Sequence, residues 1–212
     1  APPDQTLEWS ESAVEGAFRF IKNVWKLVYI HVDGGITPKV KSNDLLSDEL
    51  KRFRRQVHET ILKVTDDIDR RYKFNTAIAS IMELVNAVSR MKIDSGLAQQ
   101  VRQEALEVTL LLLTPITPHV TEVLWRALGQ KGNVAEADWP EADQSALIKF
   151  ENNIVVQVNG KKRSTIILPT NIERRQYEFE ALGDANVKRY IEGKKIEKII
   201  VVPDKLVNIV AK

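Results

Sequence analysis

The 212-residue sequence contains no cysteine, so disulfide bonds and thiolate metal sites are excluded. It contains no run of about 18 consecutive apolar residues, so the sequence predicts no transmembrane helix and no membrane partner. Residues 1–4 show neither an initiator methionine nor the basic-then-apolar order of a signal peptide. We therefore expect the chain to be part of a larger, cytoplasmic polypeptide.

Candidate catalytic and metal-ligating residues are scarce. None of the three histidines, His31, His58 and His119, is spaced with a second histidine or a carboxylate as metal ligands are. The acidic stretch 65–69 precedes two arginines on a predicted helix, which favours a solvated, salt-bridged face over a metal site. Gly34-Gly35 is too short for a phosphate-binding loop. The sequence predicts no catalytic residue, no metal site and no cofactor in this chain.

The net charge of +2 is unevenly distributed along the chain. Residues 1–150 carry 19 Lys/Arg and 21 Asp/Glu, whereas residues 151–212 carry 12 Lys/Arg and 8 Asp/Glu. The last third is therefore net positive, which favours an anionic partner there.

Apolar residues recur every three or four positions in the first 130 residues, which predicts amphipathic helices. We predict four long helices, at about 14–33, 48–68, 76–88 and 97–113, and a shorter fifth helix from Pro118 to Gly129. Ser12 with Glu15 predicts a capping box for the first helix, and Ser47 or Asp48 a cap for the second. The predicted buried face of the first helix comprises Val14, Phe18, Ile21, Trp25, Val28 and Val32.

These segments predict an antiparallel, up-and-down helical bundle over residues 1–128. Residues 129–151 read as a linker lying against the bundle, with Trp139 as its buried anchor. Residues 152–212 predict a small α+β domain of β-β-α-α-β-β order, in which 199–202 is a buried strand. The predicted fold class is thus multi-domain, α followed by α+β.

Asn159-Gly160 lies between two alternating apolar runs and predicts a β-hairpin with a type I′ turn. Three cations, Lys161, Lys162 and Arg163, follow the turn at once. We expect these residues to contact the phosphates of a polyanion. The same domain carries further candidate contacts, namely Lys188, Arg189, Lys194, Lys195 and Lys198. Lys188 and Arg189 also suit the negative end of a helix dipole.

Aromatic residues of the last third, Tyr177, Phe179 and Tyr190, could stack on nucleotides, but core packing is the better interpretation for most of them. In the bundle, Lys22 and Lys26 lie one helical turn apart, and the basic run 51–55 includes Arg52 and Arg55. Both sets fit either a solvated helix face or nucleic-acid backbone contacts.

Several stretches of the sequence carry a resemblance: WSESAVEG at 9–16 with RFIKNVW at 19–25, VTDDI at 64–68 with FNTAI at 74–78, LTPITPH at 113–119 with Glu122, Leu124 and Trp125, VQVNGK at 156–161 with Arg163, and VVP at 201–203 with KLVN at 205–208. The stretch at 113–119 resembles a helix junction shared by several class I aminoacyl-tRNA synthetases. The stretches before it resemble the helical domain of bacterial leucyl-tRNA synthetases, and the tail motifs are similar to the C-terminal domain of that family in particular.

The resemblance implies that residues 1 to about 150 form the α-helical anticodon-binding domain of a class I synthetase, and that the remainder reaches the outer corner of the leucine tRNA. The HIGH and KMSKS signatures are absent, so ATP, magnesium, and the catalytic and editing domains would belong to upstream parts of the same polypeptide. Asn159, Gly160, Lys161 and Arg163 match the family's hairpin motif, whereas Lys162 occupies a variable position. Asp204 stands where many members have glycine.

The alternative is a non-enzymatic scaffold whose helices and charged faces dock on another protein. The feature that separates the two hypotheses is whether the basic residues of the tail converge on one surface.

Overall fold

The computed structural model describes residues 10–40 and 42–212, so Trp9, the first residue of the resemblance motifs, lies outside the described residues. The described residues form helices and one four-stranded sheet, in two compact units that divide between Ile148 and Lys149. No helix among them is both long and apolar enough to cross a membrane. The helices are α1 (Glu11–Asp33), α2 (Asp48–Thr65), α3 (Phe74–Arg90), α4 (Gly96–Leu113), α5 (Pro118–Ala127), α6 (Arg174–Gly183) and α7 (Ala185–Ile191), and the strands are β1 (Glu151–Val158), β2 (Lys161–Pro169), β3 (Ile196–Val202) and β4 (Leu206–Ala211).

The first unit is helical, and α4 lies at its centre. Nearly every residue of α4 is buried, including the apolar run from Leu110 to Leu113. Its polar side chains are buried as well, and they hold neighbouring segments. The Gln99 amide donates to the Gly35 carbonyl at 2.7 Å, and the Lys39 ammonium lies 2.7 Å from Glu107 Oε2. Because buried polar groups require partners, α4 determines where the loops around it lie.

Helix α1 differs from the sequence prediction in its cap and in its buried face. Ser10, not Ser12, is the N-cap, and its hydroxyl accepts from the Ala13 N–H. Val14 is 48% exposed, Phe18 is 60% exposed and Trp25 is 39% exposed, so the predicted face is wrong for these three residues. The helix carries two apolar stripes, and the one that packs in the core comprises Val24, Leu27, Val28 and His31.

The other helix boundaries follow from local signals. The Ser47 hydroxyl caps α2 and the Ser95 hydroxyl caps α4. A π-helical turn, Asp66–Arg70, follows α2. In it the acidic stretch is salt-bridged as expected, because Arg71 Nη1 lies 3.0 Å from Asp67 Oδ1. The expectation of solvation is wrong for Asp67, which is fully buried.

Segment 129–148 lies on the helices of the first unit. The Asn43 amide donates to the Ser145 carbonyl at 2.8 Å, and the Val134 N–H donates to Glu122 Oε2 at 2.9 Å. Trp139 is not the buried anchor that the sequence predicts, since it is 36% exposed. Its indole N–H instead donates to Thr65 Oγ1 at 2.8 Å. Hydrogen bonds therefore hold this segment more than burial of the indole does.

The second unit has the element order β1-β2-α6-α7-β3-β4, and its sheet has the strand order β2-β1-β4-β3. Strands β1 and β4 are parallel, and the other two pairs are antiparallel. Alternate residues of β1 and β4 face α6 and α7 and are buried. The core comprises Ile154, Val156, Val158, Leu168, Tyr177, Ala181, Val187, Val207 and Ile209.

Strand β3 is an edge strand, which corrects the prediction of a buried strand at 199–202. Ile200 and Val202 remain well exposed, whereas Ile199 and Val201 pack against the core. An apolar run in a small sheet can therefore have one face open to solvent. Arg174 Nη2 donates to the Ile199 carbonyl at 3.0 Å and so satisfies one backbone group of this edge.

Candidate nucleic-acid interface

The turn at Asn159-Gly160 has the geometry that the sequence predicts. Both residues have positive φ, 50° for Asn159 and 76° for Gly160, as a type I′ turn requires. The Asn159 side chain also pairs with the backbone of Ala211. Its amide donates to the Ala211 carbonyl at 2.8 Å, and its oxygen accepts from the Ala211 N–H at 3.0 Å. The hairpin tip is thereby attached to β4, so the residues that follow the turn start from a fixed position.

Replacing Asn159 with alanine should destabilise the second unit by about 2 kcal/mol, because two hydrogen bonds are lost and alanine disfavours a positive φ. Hydrogen exchange of the peptide 205–212 would measure the effect. Asn159→Gly is the matched control, since it keeps the backbone conformation and loses only the side-chain bonds. Equal exchange in the alanine variant and the wild type would show that the tip is held by other contacts.

The strand order brings the separate basic clusters to one end of the sheet. Because β1 runs parallel to β4, both strands end there, and the antiparallel partners β2 and β3 begin there. We call this end, with the residues that flank it, the tip end. Neighbouring strands lie about 4.8 Å apart, so four strands span about 15 Å. The cations at the tip end are Lys161, Lys162, Arg163, Lys194, Lys195 and Lys212.

Lys212 is a member of the tip end that sequence reasoning missed. Its N–H donates to the Lys195 carbonyl at 3.0 Å, and its carbonyl accepts from the Lys195 N–H at 2.7 Å. Its ammonium lies 3.2 Å from Glu197 Oε1, which neutralises part of its charge. No local signal places Lys212 beside the hairpin, because that position depends on the pairing of β1 with β4.

The cations around the tip end point to both faces of the sheet. Lys161 lies opposite Val158, whose side chain faces the helices, and Lys162 lies opposite Gln157, on the open face. Cross-strand partners point to the same face. A register shift next to Gln157 lets Arg163 and Ser164 both lie on the helical side. Lys198 alternates with Ile199, which is partly buried against the core, and therefore belongs to the open face.

Helix α7 packs against the start of β2. Asp184, its N-cap, accepts from the Ser164 hydroxyl at 2.9 Å. Hydrogen bonds from the Val187 backbone N–H, the Ser164 hydroxyl and the Asn186 backbone N–H lower the pKa of the Asp184 carboxyl. At the other end of α7, the Arg163 guanidinium lies 3.8 Å above the ring of Tyr190. The last turn of α7, which also carries Lys188 and Arg189, is therefore adjacent to the tip end.

The cations predicted in the helical unit do not form one comparable cluster. Lys22 and Lys26 lie exposed on α1, and the Lys22 ammonium lies 5.5 Å from the ring of Phe18. On α2, Arg52 Nε donates to the Asp48 carbonyl, and Arg55 Nε lies 3.7 Å from Glu59 Oε1. Helix α1 packs mainly on α3, α4 and α5, whereas α2 packs on α3 and α4. The two pairs thus belong to helices that are not principal neighbours.

Arg54, from the same basic run of the sequence, is buried in a polar network. Its Nε and Nη2 donate to the two Glu104 oxygens at 2.7 and 2.9 Å, and its Nη1 donates to Asn43 Oδ1 at 2.8 Å. His58 Nε2 lies 3.2 Å from Glu104 Oε1, and His58 Nδ1 accepts from the Asp143 N–H. This pattern requires the neutral ring with its proton on Nε2. Arg54 is therefore unavailable to a nucleic acid.

The carboxylates of this network are stabilised in their charged form. Burial alone would raise the pKa of Glu104, but hydrogen bonds from His58 and Arg54 lower it. Burial likewise acts to raise the pKa of Asp143, yet hydrogen bonds from Ser145 and Arg54 lower it to about 2. His31 lies elsewhere in the core, where burial lowers the pKa of its imidazole. These groups have structural partners, and no group of three metal-ligating side chains occurs within residues 10–40 and 42–212.

The structure shows how aspartate fits at position 204, where many members of the family have glycine. Asp204 has a φ of 58°, the left-handed conformation that favours glycine. Its carboxylate accepts from the Tyr177 hydroxyl at 2.9 Å, and its N–H donates to the same hydroxyl oxygen at 3.3 Å. Aspartate is therefore tolerated at this position, because the two hydrogen bonds with Tyr177 offset the backbone strain.

Comparisons with known proteins show which protein family this chain is similar to. The family model described as the anticodon-binding domain of tRNA ligase matches residues 51–178. The chain is 51% identical over 214 residues to the leucine–tRNA ligase of Nitrosococcus oceani, covering 99% of this chain and 26% of that protein. It is 52% identical to the corresponding ligase of Chromohalobacter salexigens, covering 100% of this chain and 24% of that protein.

One similar solved structure is described as the ternary complex of Agrobacterium radiobacter K84 agnB2 LeuRS-tRNA-LeuAMS. It matches 97% of this chain and 26% of that chain, with a TM-score of 0.76 and 25% identity. The chain spans about a quarter of the length of these relatives. The resemblance drawn from the sequence motifs is confirmed.

Proposed function

This chain belongs to the anticodon-binding domain family of tRNA ligases, and we propose that it is the tRNA-binding C-terminal part of a bacterial-type leucine–tRNA ligase. In this proposal the helical first unit is the anticodon-binding bundle, with segment 129–148 packed on it, and the second unit, which begins at Lys149, holds the tRNA near its elbow. The catalytic and editing domains, with ATP and magnesium, belong to upstream parts of the same cytoplasmic polypeptide.

The observation that carries the proposal is the tip end of the second unit. Topology gathers basic residues from three separate stretches around a turn that is attached to β4. Apart from Lys212, the cations of the tip end have no carboxylate partner among the described residues. These unneutralised cations are exposed, except for Arg163, which is partly buried. Such cations beside a fixed turn suit phosphate contacts, which supply affinity and salt dependence without reading base sequence.

Other candidate contacts complete this proposal. Lys188 and Arg189, on the helical side of the sheet, and Lys198, on its open face, are further candidate contacts beside the tip end. Lys22, Lys26, Arg52 and Arg55 lie on exposed or partly exposed positions of α1 and α2 and would add backbone contacts in the bundle. A protein-interaction scaffold is not favoured, because every comparison reported above is with a tRNA ligase or its anticodon-binding domain.

A titration of the 212-residue chain with a leucine tRNA transcript tests the proposal. We expect binding whose log affinity falls linearly with log salt between about 50 and 200 mM, with a slope of several units. An unrelated tRNA should bind with a similar salt slope, since every tRNA offers backbone phosphates. Its affinity should be lower, since its folded shape differs from that of a leucine tRNA. Absence of binding at the lower salt concentration would contradict the proposal.

A further inference from the structure

Tyr190 is an aromatic residue that contacts one of the hairpin cations, Arg163. It lies in the last turn of α7 and is 41% exposed, so it is not part of the core of the second unit. The Arg163 guanidinium carbon lies 3.8 Å from the centre of its ring. This distance is typical of a cation–π contact in which the guanidinium stacks on the ring.

The position of the ring relative to Arg163 is determined by contacts on both sides. Ser164, the next residue of β2, donates its hydroxyl to Asp184 at the start of α7. Asp184 also accepts from the backbone N–H of Val187, whose side chain is buried in the core. The contact between Ser164 and Asp184 thus holds α7 on β2 next to Arg163. Tyr190, which is part of α7, therefore has a fixed position beside Arg163.

The stack orients Arg163 without neutralising it. Arg126 and Arg174 form ion pairs with Glu122 and Glu178, and those carboxylates offset their charge. Arg163 has no such partner among the described residues. A ring occupies the face of a guanidinium, whereas hydrogen bonds leave from its edges. Arg163 Nε is buried and has no hydrogen-bond partner in the part of the chain that the structure describes, so the Nη groups are the ones that remain available to an acceptor.

We propose that Tyr190 is a positioning residue for RNA binding, which holds the Arg163 guanidinium flat so that its Nη groups donate to a phosphate of the tRNA backbone. The inference rests on the proposed function and concerns the same site. The ring confines a long and flexible side chain before the RNA arrives, so less conformational entropy is lost on binding.

The test measures the affinity of the 212-residue chain for a leucine tRNA transcript at two salt concentrations. We expect Tyr190→Leu to weaken binding by about three- to tenfold. Tyr190→Phe should bind as the wild type does, because it retains the ring. In the Arg163→Ala background, Tyr190→Leu should have no further effect. Phe179→Leu is the matched control, since Phe179 is an exposed aromatic residue of α6, 75% exposed.

Arg163→Lys supplies an independent measurement that leaves Tyr190 intact. It keeps the charge but loses the planar face, so we expect several-fold weaker binding with an unchanged salt slope. Tyr190→Leu should then have no effect in the Arg163→Lys background.

Three results would overturn the inference: wild-type affinity in Tyr190→Leu, an equal loss in the Arg163→Ala background, or wild-type affinity in Arg163→Lys. The second would show that the ring itself contacts RNA. If the proposed function itself were wrong, the result would differ, because Arg163→Ala, Lys161→Ala and Lys162→Ala would also leave tRNA binding unchanged.

Discussion

Glu104→Ala is expected to destabilise the helical unit by about 3–5 kcal/mol, because it leaves the buried Arg54 guanidinium without its main partner. Arg54 is 4% exposed and donates two hydrogen bonds to Glu104. His58 also loses its acceptor. Chemical denaturation followed by tryptophan emission measures this change, since all four tryptophans lie before residue 149 and report only on the helical unit.

Two further variants separate the loss of pairing from the loss of packing. The double variant Arg54→Met, Glu104→Leu removes both charges and should recover most of the stability. Arg126→Ala removes one member of an exposed pair on α5 and should cost less than about 1 kcal/mol. A cost for Glu104→Ala as small as that of Arg126→Ala would show that the network contributes little to stability.

The same network predicts how stability depends on pH. The folded-state pKa values of Glu104 and Asp143 are lowered, that of Asp143 to about 2, whereas unfolded carboxyl groups titrate near pH 4. Their stabilisation is therefore present above about pH 4 and is lost as the pH falls from about 4 towards 2. The double variant Arg54→Met, Glu104→Leu should lose less stability than the wild type over this range.

Short-range signals were sufficient to predict some parts of the molecule. Asn159-Gly160 determines its turn through backbone conformation alone, so the hairpin and the cations after it were predictable. The serine cap of α2 is a second local signal that the structure contains. The buried face of α1 was not predictable in the same way. Its sequence carries two apolar stripes, and only the position of α4 decides that Val24, and not Phe18, is buried.

Long-range partners account for what could not be predicted. Arg54 looks like a surface cation within a basic run, and only its pairing with Glu104, 50 residues away, shows that it is buried. The position of Lys212 depends on the parallel pairing of β1 and β4. The relation of Tyr190 to Arg163 depends on how α7 crosses the sheet. Periodicity and turn chemistry contain none of this information, because they describe residues that are close in sequence.

Removal of the three hairpin cations should produce the largest change in RNA affinity. We expect the triple variant Lys161→Ala, Lys162→Ala, Arg163→Ala to reduce the salt slope of tRNA binding by about three units. A hydrogen bond to a charged group contributes about 1.4 kcal/mol, a factor of ten, so the loss of three such contacts should lower the affinity about 1,000-fold. The measurement is the same two-salt titration with a leucine tRNA transcript.

The second unit offers a control of equal charge. Lys149, Arg175 and Lys205 are exposed and lie away from the tip end: Lys149 precedes β1, Lys205 precedes β4, and Arg175 is close to Tyr177, which bonds Asp204. Alanine at these three positions removes the same net charge. If binding depended only on net charge, both triple variants would lose affinity equally, and the specific role of the tip end would be wrong. If only the Lys161, Lys162 and Arg163 triple variant loses much tRNA affinity, the tRNA phosphates must lie against the tip end of the sheet.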